Sequence, residues 1–172
     1  MIGKHHILGL SFALLGITAI ANAAVDCQQT FPDVAQITPE VLTEWAKFAA
    51  IGAYHFDHQN PQQQLDSVKA CFTDAGWKSF QDALQQSNNL QVVTNEKLKV
   101  TSQIKNETMI SILPVQPNTW KIQVPLSVKY ENESRHLDQQ LTADLLVESH
   151  ANSEGQLKLG ITQFITKPAE SS

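Results

Sequence analysis

The sequence has few cysteines, few basic residues and few long apolar segments, and each shortage excludes a class of protein. Two cysteines in 172 residues are too few for a disulfide-dense mini-scaffold or a four-thiolate zinc site. Twelve Lys and Arg against 17 Asp and Glu give a formal charge of −5. This balance argues against nucleic acid as a partner, because phosphates require a cationic face. Glycine-rich phosphate loops and Gly-x-Ser-x-Gly elbows are also missing.

The apolar segment that the chain does contain lies at its N-terminus. Lys4 precedes an apolar run over residues 7–20, which ends in Ala21-Asn22-Ala23, the small-x-small pattern that signal peptidase cleaves. As a helix this run would span about 21 Å, short of the roughly 30 Å of a bilayer core. We therefore expect residues 1–23 to be a cleaved signal peptide and the mature chain to be periplasmic, without a membrane span. An uncleaved inner-membrane anchor is the alternative.

An exported chain with two cysteines favours one disulfide, because the compartment is oxidising. We expect Cys27 and Cys71 to be bridged, which would tie the N-terminal segment 24–37 to the rest of the domain. The bridge would close a loop of about 45 residues and stabilise the fold by about 4 kcal/mol in the chain-entropy model. Two separate buried thiols are the alternative.

Residues 38–88 show helical periodicity in three segments. Thr38-Pro39 and Asn60-Pro61 are typical helix starts, and Thr73 is the cap of the third helix. Apolar side chains then recur every three to four residues, which predicts that they face a common core. The members of these stripes are Val41, Trp45, Phe48, Gly52, Phe56, Leu65, Val68, Phe72, Trp77, Phe80 and Leu84.

Residues 90–166 show a periodicity of two, which predicts antiparallel strands. The clearest strand runs from Trp120 to Tyr130, with apolar side chains on alternate residues. Pro125 lies within this strand and lacks a ladder donor, so it predicts a sheet edge or a bulge.

Helices followed by strands predict an α+β domain over residues 38–166. We expect three N-terminal helices packed on a highly curved antiparallel sheet of four to five strands. The polar residues 167–172 predict a flexible tail.

Few side chains are spaced for catalysis or metal binding. His55 and His58 would share a face on a helix, but two ligands without a third do not make a zinc site. Asp144 lies in an apolar strand; it would be a base if it faced a concave pocket, whereas strand alternation directs it outward. We therefore predict no catalytic residue, no metal site and no cofactor.

Two segments carry a pattern specific enough to identify relatives: the block Cys71-Phe72-Thr73-Asp74-Ala75-Gly76-Trp77-Lys78-Ser79-Phe80 and the strand Trp120-Lys121-Ile122-Gln123-Val124-Pro125-Leu126. Together with shorter segments at 43–46, 53–56, 83–90 and 160–164, they resemble the periplasmic domain of the IcmL/DotI family over residues 38–166. The matched positions are of the kind that fill a core or cap a helix. The core and structural residues that we predict are Trp45, Phe48, Phe72, Gly76, Trp77, Phe80, Trp120 and Pro125.

The resemblance implies a component, or a relative, of a type IVB (Dot/Icm) secretion system, and the family is also similar to the conjugation protein TraM. It implies a nuclear-transport-factor-2-like fold, no known catalysis, and partners among other secretion-system proteins or further copies of the chain. The alternative is a periplasmic small-ligand binder or enzyme that uses the concave pocket of the same fold. A concave face filled by Trp45, Phe48 and Phe80 would favour the first interpretation, and an open cavity containing Asp144 or His55 the second.

Overall fold

A computed structural model of the chain describes residues 25–169; the predicted signal peptide lies outside the described residues. The α-helices are α1 (Pro39–Gly52), α2 (Pro61–Leu65), α3 (Asp74–Gln86) and α4 (Asn89–Asn95), and short 3₁₀ helices cover Val34–Gln36, Asp66–Cys71 and Glu107–Met109. The strands are β1 (Thr30–Phe31), β2 (Phe56–Asp57), β3 (Lys99–Ile104), β4 (Ser111–Gln116), β5 (Thr119–Glu131), β6 (His136–Ala151) and β7 (Leu157–Pro168). No helix in this part of the chain is long and apolar enough to cross a bilayer.

The strands form one antiparallel sheet in the order β1-β7-β6-β5-β3-β2, and β4 also pairs with β5. β3 and β4 share one side of β5, because β3 pairs with residues 126–131 and β4 with residues 119–123. The sheet is strongly curled into a half-barrel, with the helices on its concave face. The α+β class and the curved sheet predicted from the sequence are therefore confirmed.

The two long helices begin where the sequence places their caps. The Thr38 hydroxyl accepts a hydrogen bond from the backbone N–H of Val41 at 3.3 Å, and Pro39 occupies the first turn. The Thr73 hydroxyl accepts from the N–H of Gly76 at 3.1 Å. Both helices then pack an apolar face against the sheet, and Trp45 is 1% exposed at the centre of this core.

The fold has more elements than the sequence pattern predicts. Residues 89–95 form helix α4 rather than the start of the strand region, and the sheet contains seven strands instead of four to five. Phe56, assigned to the stripe of the first helix, lies in β2 because α1 ends at Gly52. Strands β1 and β2 have two residues each, too few to leave a periodic pattern.

Both ends of the described chain are held by the sheet. Cys27 and Cys71 form the predicted disulfide, with their Cα atoms 4.6 Å apart, and β1 pairs with β7 just after Cys27. At the other end β7 extends to Pro168, and the N–H of Ala169 donates to the Gln140 carbonyl at 2.9 Å. The prediction of a flexible tail from residue 167 is therefore wrong for Lys167 and Pro168.

Candidate functional site

The outer side of β4 is an exposed apolar surface. β4 pairs with β5 and with no other strand between residues 25 and 169, so its second edge keeps unpaired backbone groups. Met109, Leu113 and Val115 are 58%, 61% and 54% exposed. Leu113 lies opposite Lys121 in the register, on the solvent side of the sheet, whereas its neighbour Ile112 lies opposite the buried Ile122. We call these three side chains and the free edge of β4 the β4 surface.

Pro125 marks the place where β4 separates from β3. The N–H of Lys105 donates to the Pro125 carbonyl at 3.0 Å, after which residues 105–110 leave the sheet and β4 begins at Ser111. In an extended strand the N–H and the C=O of one residue point toward the same neighbouring strand. The N–H that Pro125 lacks would therefore point toward Lys105, where the neighbouring chain leaves the sheet. Pro125 therefore lies in a buried central strand and not at an edge of the sheet. The irregularity that a proline predicts is found in the segment opposite, where β3 ends and residues 105–110 leave the sheet.

An ion pair joins the turn before β4 to helix α1. The Lys47 ammonium donates to Glu107 at 2.6 Å and to Glu44 at 3.0 Å, and its hydrogen bond to the Glu107 carboxylate is the main cause that raises the pKa of Lys47. The next residue, Phe48, is 44% exposed. Its assignment to the core is wrong, because the face of α1 that meets the sheet consists of Leu42, Trp45, Ala46, Ala49 and Ala50.

A cleft of about 560 Å³ remains on the concave face, between α3–α4 and the far ends of β5, β6 and β7. Phe80 contributes to its wall, whereas Trp45 and Phe48 do not reach it. Aromatic side chains therefore fill only part of the concave face. Neither Asp144 nor His55 lines the cleft, so the two polar candidates for its interior are both elsewhere.

Asp144 lies on the opposite, outer face of the sheet, as strand alternation indicates. Its carboxylate accepts a hydrogen bond from the Gln123 amide at 2.7 Å, and it lies 3.2 Å from the Lys167 ammonium and 3.9 Å from that of Lys121. Two lysines compensate its charge, and no feature of this position resembles a base facing a substrate.

His55 and His58 do not lie on a helix. His55 is exposed after the end of α1, and His58 is half-buried just beyond β2. Among residues 25–169 no three His, Cys, Asp or Glu side chains are grouped in a way that would hold a metal ion.

The remaining predicted residues occupy structural positions. Phe72, Trp77 and Phe80 are buried and pack on one another, with ring centroids 5.0–5.7 Å apart. Gly76 lies where α3 touches the backbone of β7. Trp120 is half-buried at the end of β5.

The periodicity of residues 90–166 places Met109 to Val115 in the strand region, but it does not reveal the exposed surface of this segment. The signal that would have revealed it is an apolar pattern on both faces, since Ile110 and Ile112 alternate with Leu113 and Val115. A strand that is apolar on both faces normally has other residues packed on both. Here no residue of the described part of the chain buries the face that carries Leu113 and Val115.

The chain resembles components of type IV secretion systems. A family model described as a type-IV b secretion system, inner-membrane complex component matches residues 32–168. An IcmL-like type IV secretion system protein from Legionella pneumophila subsp. pneumophila superposes with a TM-score of 0.69 at 26% identity, over 83% of this chain and 97% of that one. The periplasmic domain of DotI gives a TM-score of 0.69 at 30% identity, over 77% and 96% of the two chains.

A periplasmic fragment of TraM shares the fold, with a TM-score of 0.59 at 20% identity over 72% of this chain and 93% of the fragment. No curated protein shows a significant match. The family model covers most of the chain, and both the curled sheet and the helix order agree with the IcmL-like structure. The chain therefore belongs to the DotI/IcmL family of type IVB secretion-system components.

Proposed function

We propose that the protein is a non-enzymatic, periplasmic component of a type IVB secretion apparatus that acts by binding other proteins of the apparatus or further copies of itself. The observation that carries this proposal is the β4 surface. Leu113 and Val115 are more than half exposed on a strand whose outer edge is unpaired within the described residues, and Met109 is more than half exposed just before this strand. Such an edge accepts a strand from another chain, and its apolar flank adds burial energy to the contact.

The position of the surface also supports a contact role. The Lys47–Glu107 pair and the pairing of β4 with β5 hold it in place, so its edge is ordered before a partner arrives. Preformed edges of this kind lose little conformational entropy on association. The acidic residue that sequence analysis considered for catalysis is instead paired with lysines on the outer face.

Site-specific photo-crosslinking in the native cell tests the proposal. A benzophenone amino acid at Leu113 or Val115 is expected to give discrete adducts that contain another secretion-system protein or a second copy of this chain. The matched control places the same group at Ser79, which is exposed on α3 away from β4. Adducts identified by mass spectrometry at β4 and not at Ser79 support the proposal, and equal yields at both positions contradict it.

A substitution separates contact from folding. Leu113→Asp places a charge on a side chain that is 61% exposed, so the free energy of unfolding is expected to change by less than about 0.5 kcal/mol. The same charge would be buried in an interface, where the loss of hydration makes a carboxylate costly even with Lys121 opposite it. We expect adduct formation at Val115 to be lost in this variant. Retention of the adducts would contradict a role for the β4 surface.

A further inference from the structure

The concave cleft brings together side chains that are otherwise hard to explain. Two of the large apolar residues that remain 40–42% exposed, Val92 and Leu137, line it. They come from α4 and β6 and meet the edge-on pair of Phe80 and Phe164, whose ring centroids are 5.2 Å apart. Exposed apolar side chains that converge on one concavity are typical of a binding site rather than of the scattered apolar surface of any protein.

The cleft has the size and lining of a small-molecule site. Its volume of about 560 Å³ falls within the roughly 300–1,000 Å³ of known ligand pockets, which are mostly apolar with a few polar groups. Its uncharged polar groups are two tyrosine hydroxyls with the side chains of Ser87, Asn89, Gln139 and Thr166. Each of these can donate or accept a hydrogen bond without carrying a charge.

The Tyr130 hydroxyl is the group with spare hydrogen-bonding capacity. Tyr130 is 8% exposed, and its hydroxyl lies 3.5 Å from the Asn89 amide, at the limit of a hydrogen bond. The Tyr54 hydroxyl, in contrast, has the Thr166 hydroxyl as a close partner at 2.9 Å. Burial raises the pKa of both tyrosines, so both hydroxyls stay neutral at physiological pH.

The charge around the cleft selects against ionic ligands. Arg135 is the one lining residue with a formal charge among the described residues, and its guanidinium is paired with the carboxylate of Glu96. A charged ligand would therefore enter an apolar cleft without a free counter-ion.

From these observations we propose that the cleft binds a neutral small molecule with an apolar body and one hydroxyl or carbonyl group, which pairs with the Tyr130 hydroxyl. This proposal is independent of the β4 surface, because the cleft lies at the opposite end of β5 from the residues that pair with β4.

Binding of a neutral fluorescent probe tests the cleft. N-phenyl-1-naphthylamine is titrated into the purified protein, and we expect saturable fluorescence enhancement. Ala83 is exposed on α3 and lines the cleft, so Ala83→Trp is expected to fill its mouth and weaken binding by roughly tenfold or more. Ser79→Trp adds the same side chain to the same helix outside the cleft and is expected to bind like the wild type, and a thermal melt verifies that both variants fold.

Competition with a matched ligand pair tests the hydrogen bond. 1-Naphthol and naphthalene differ by one hydroxyl. We expect 1-naphthol to displace the probe with about fivefold higher affinity than naphthalene, the equivalent of one net hydrogen bond. Tyr130→Phe keeps the ring and removes the hydroxyl, so this advantage should disappear. The proposal is overturned if the probe shows no saturable binding, if Ala83→Trp binds it unchanged, or if the advantage of 1-naphthol persists in Tyr130→Phe.

Discussion

Gly76 sets the distance between α3 and the sheet. A Cβ atom at this position would overlap the carbonyl oxygen of Ile161 in β7. The same carbonyl accepts a hydrogen bond from the N–H of Thr73 at 3.1 Å, so the helix start is fixed against the strand and cannot move away. The family resemblance identified Gly76 as structural, but its physical reason is a contact that sequence spacing does not reveal.

We expect Gly76→Ala to destabilise the protein by about 3 kcal/mol, because the added methyl group meets backbone rather than a mobile side chain. Ser79→Ala, at an exposed position of the same helix, should change the free energy of unfolding by less than about 0.5 kcal/mol. Urea unfolding followed by circular dichroism measures both. Equal midpoints for Gly76→Ala and the wild type would refute the close approach.

Phe48 and Phe80 are two phenylalanines that sequence analysis placed in the core with equal reason. Phe80 is 6% exposed and Phe48 is 44% exposed. The helical spacing of Trp45 and Phe48 fits a stripe, but the three alanines beside them let α1 approach the sheet closely and rotate Phe48 away from the contact.

Truncation of the two rings should therefore have different costs. We expect Phe80→Ala to cost about 4 kcal/mol of unfolding free energy, as for a buried aromatic side chain, and Phe48→Ala less than about 1 kcal/mol. Chemical denaturation of the two single variants compares them directly. Similar losses in both would show that Phe48 is packed in the folded protein.

At the scale of elements, the longer and more regular a segment is, the better the sequence predicts it. Thr73 as a cap and the alternation along β5 both hold in the structure. Helix α4 was missed because Leu90 and Val92, two residues apart, look like a strand, whereas the buried side chain is Val93, three residues after Leu90. The cleft could not be predicted, because it depends on what distant elements leave uncovered, whereas the β4 surface does leave a signal in the sequence, the apolar pattern on both faces of its segment.

The disulfide joins the turn before β1 to the end of the 3₁₀ helix Asp66–Cys71. Cys27 and Cys71 are 44 residues apart, and we expect the double variant Cys27→Ala/Cys71→Ala to lose about 4 kcal/mol of stability. Hydrogen exchange should show the largest loss of protection at β1, which has two residues to hold it to β7. A double variant that unfolds at the wild-type denaturant concentration would contradict this expectation.

At the scale of the whole molecule, the predicted export would place the two cysteines in an oxidising compartment, where the bridge can form. Cleavage after Ala23 would leave 149 residues (172 − 23) with a formal charge of −6, since Lys4 is the one charge removed from 12 basic and 17 acidic residues. Intact mass spectrometry of the periplasmic fraction should find this species two protons lighter than its reduced form. An intact N-terminus recovered with membranes, or two thiols that react with an alkylating agent in the native protein, would contradict the prediction.

The bridge also determines how the domain would carry a mechanical load. Cys27 precedes β1, and Cys71 precedes α3. A pull on the chain ahead of Val25 would therefore pass through the covalent link straight to Cys71. The residues between the two cysteines, including α1 and both two-residue strands, would carry no tension, so β1 would be spared from peeling off β7 while the domain is under strain.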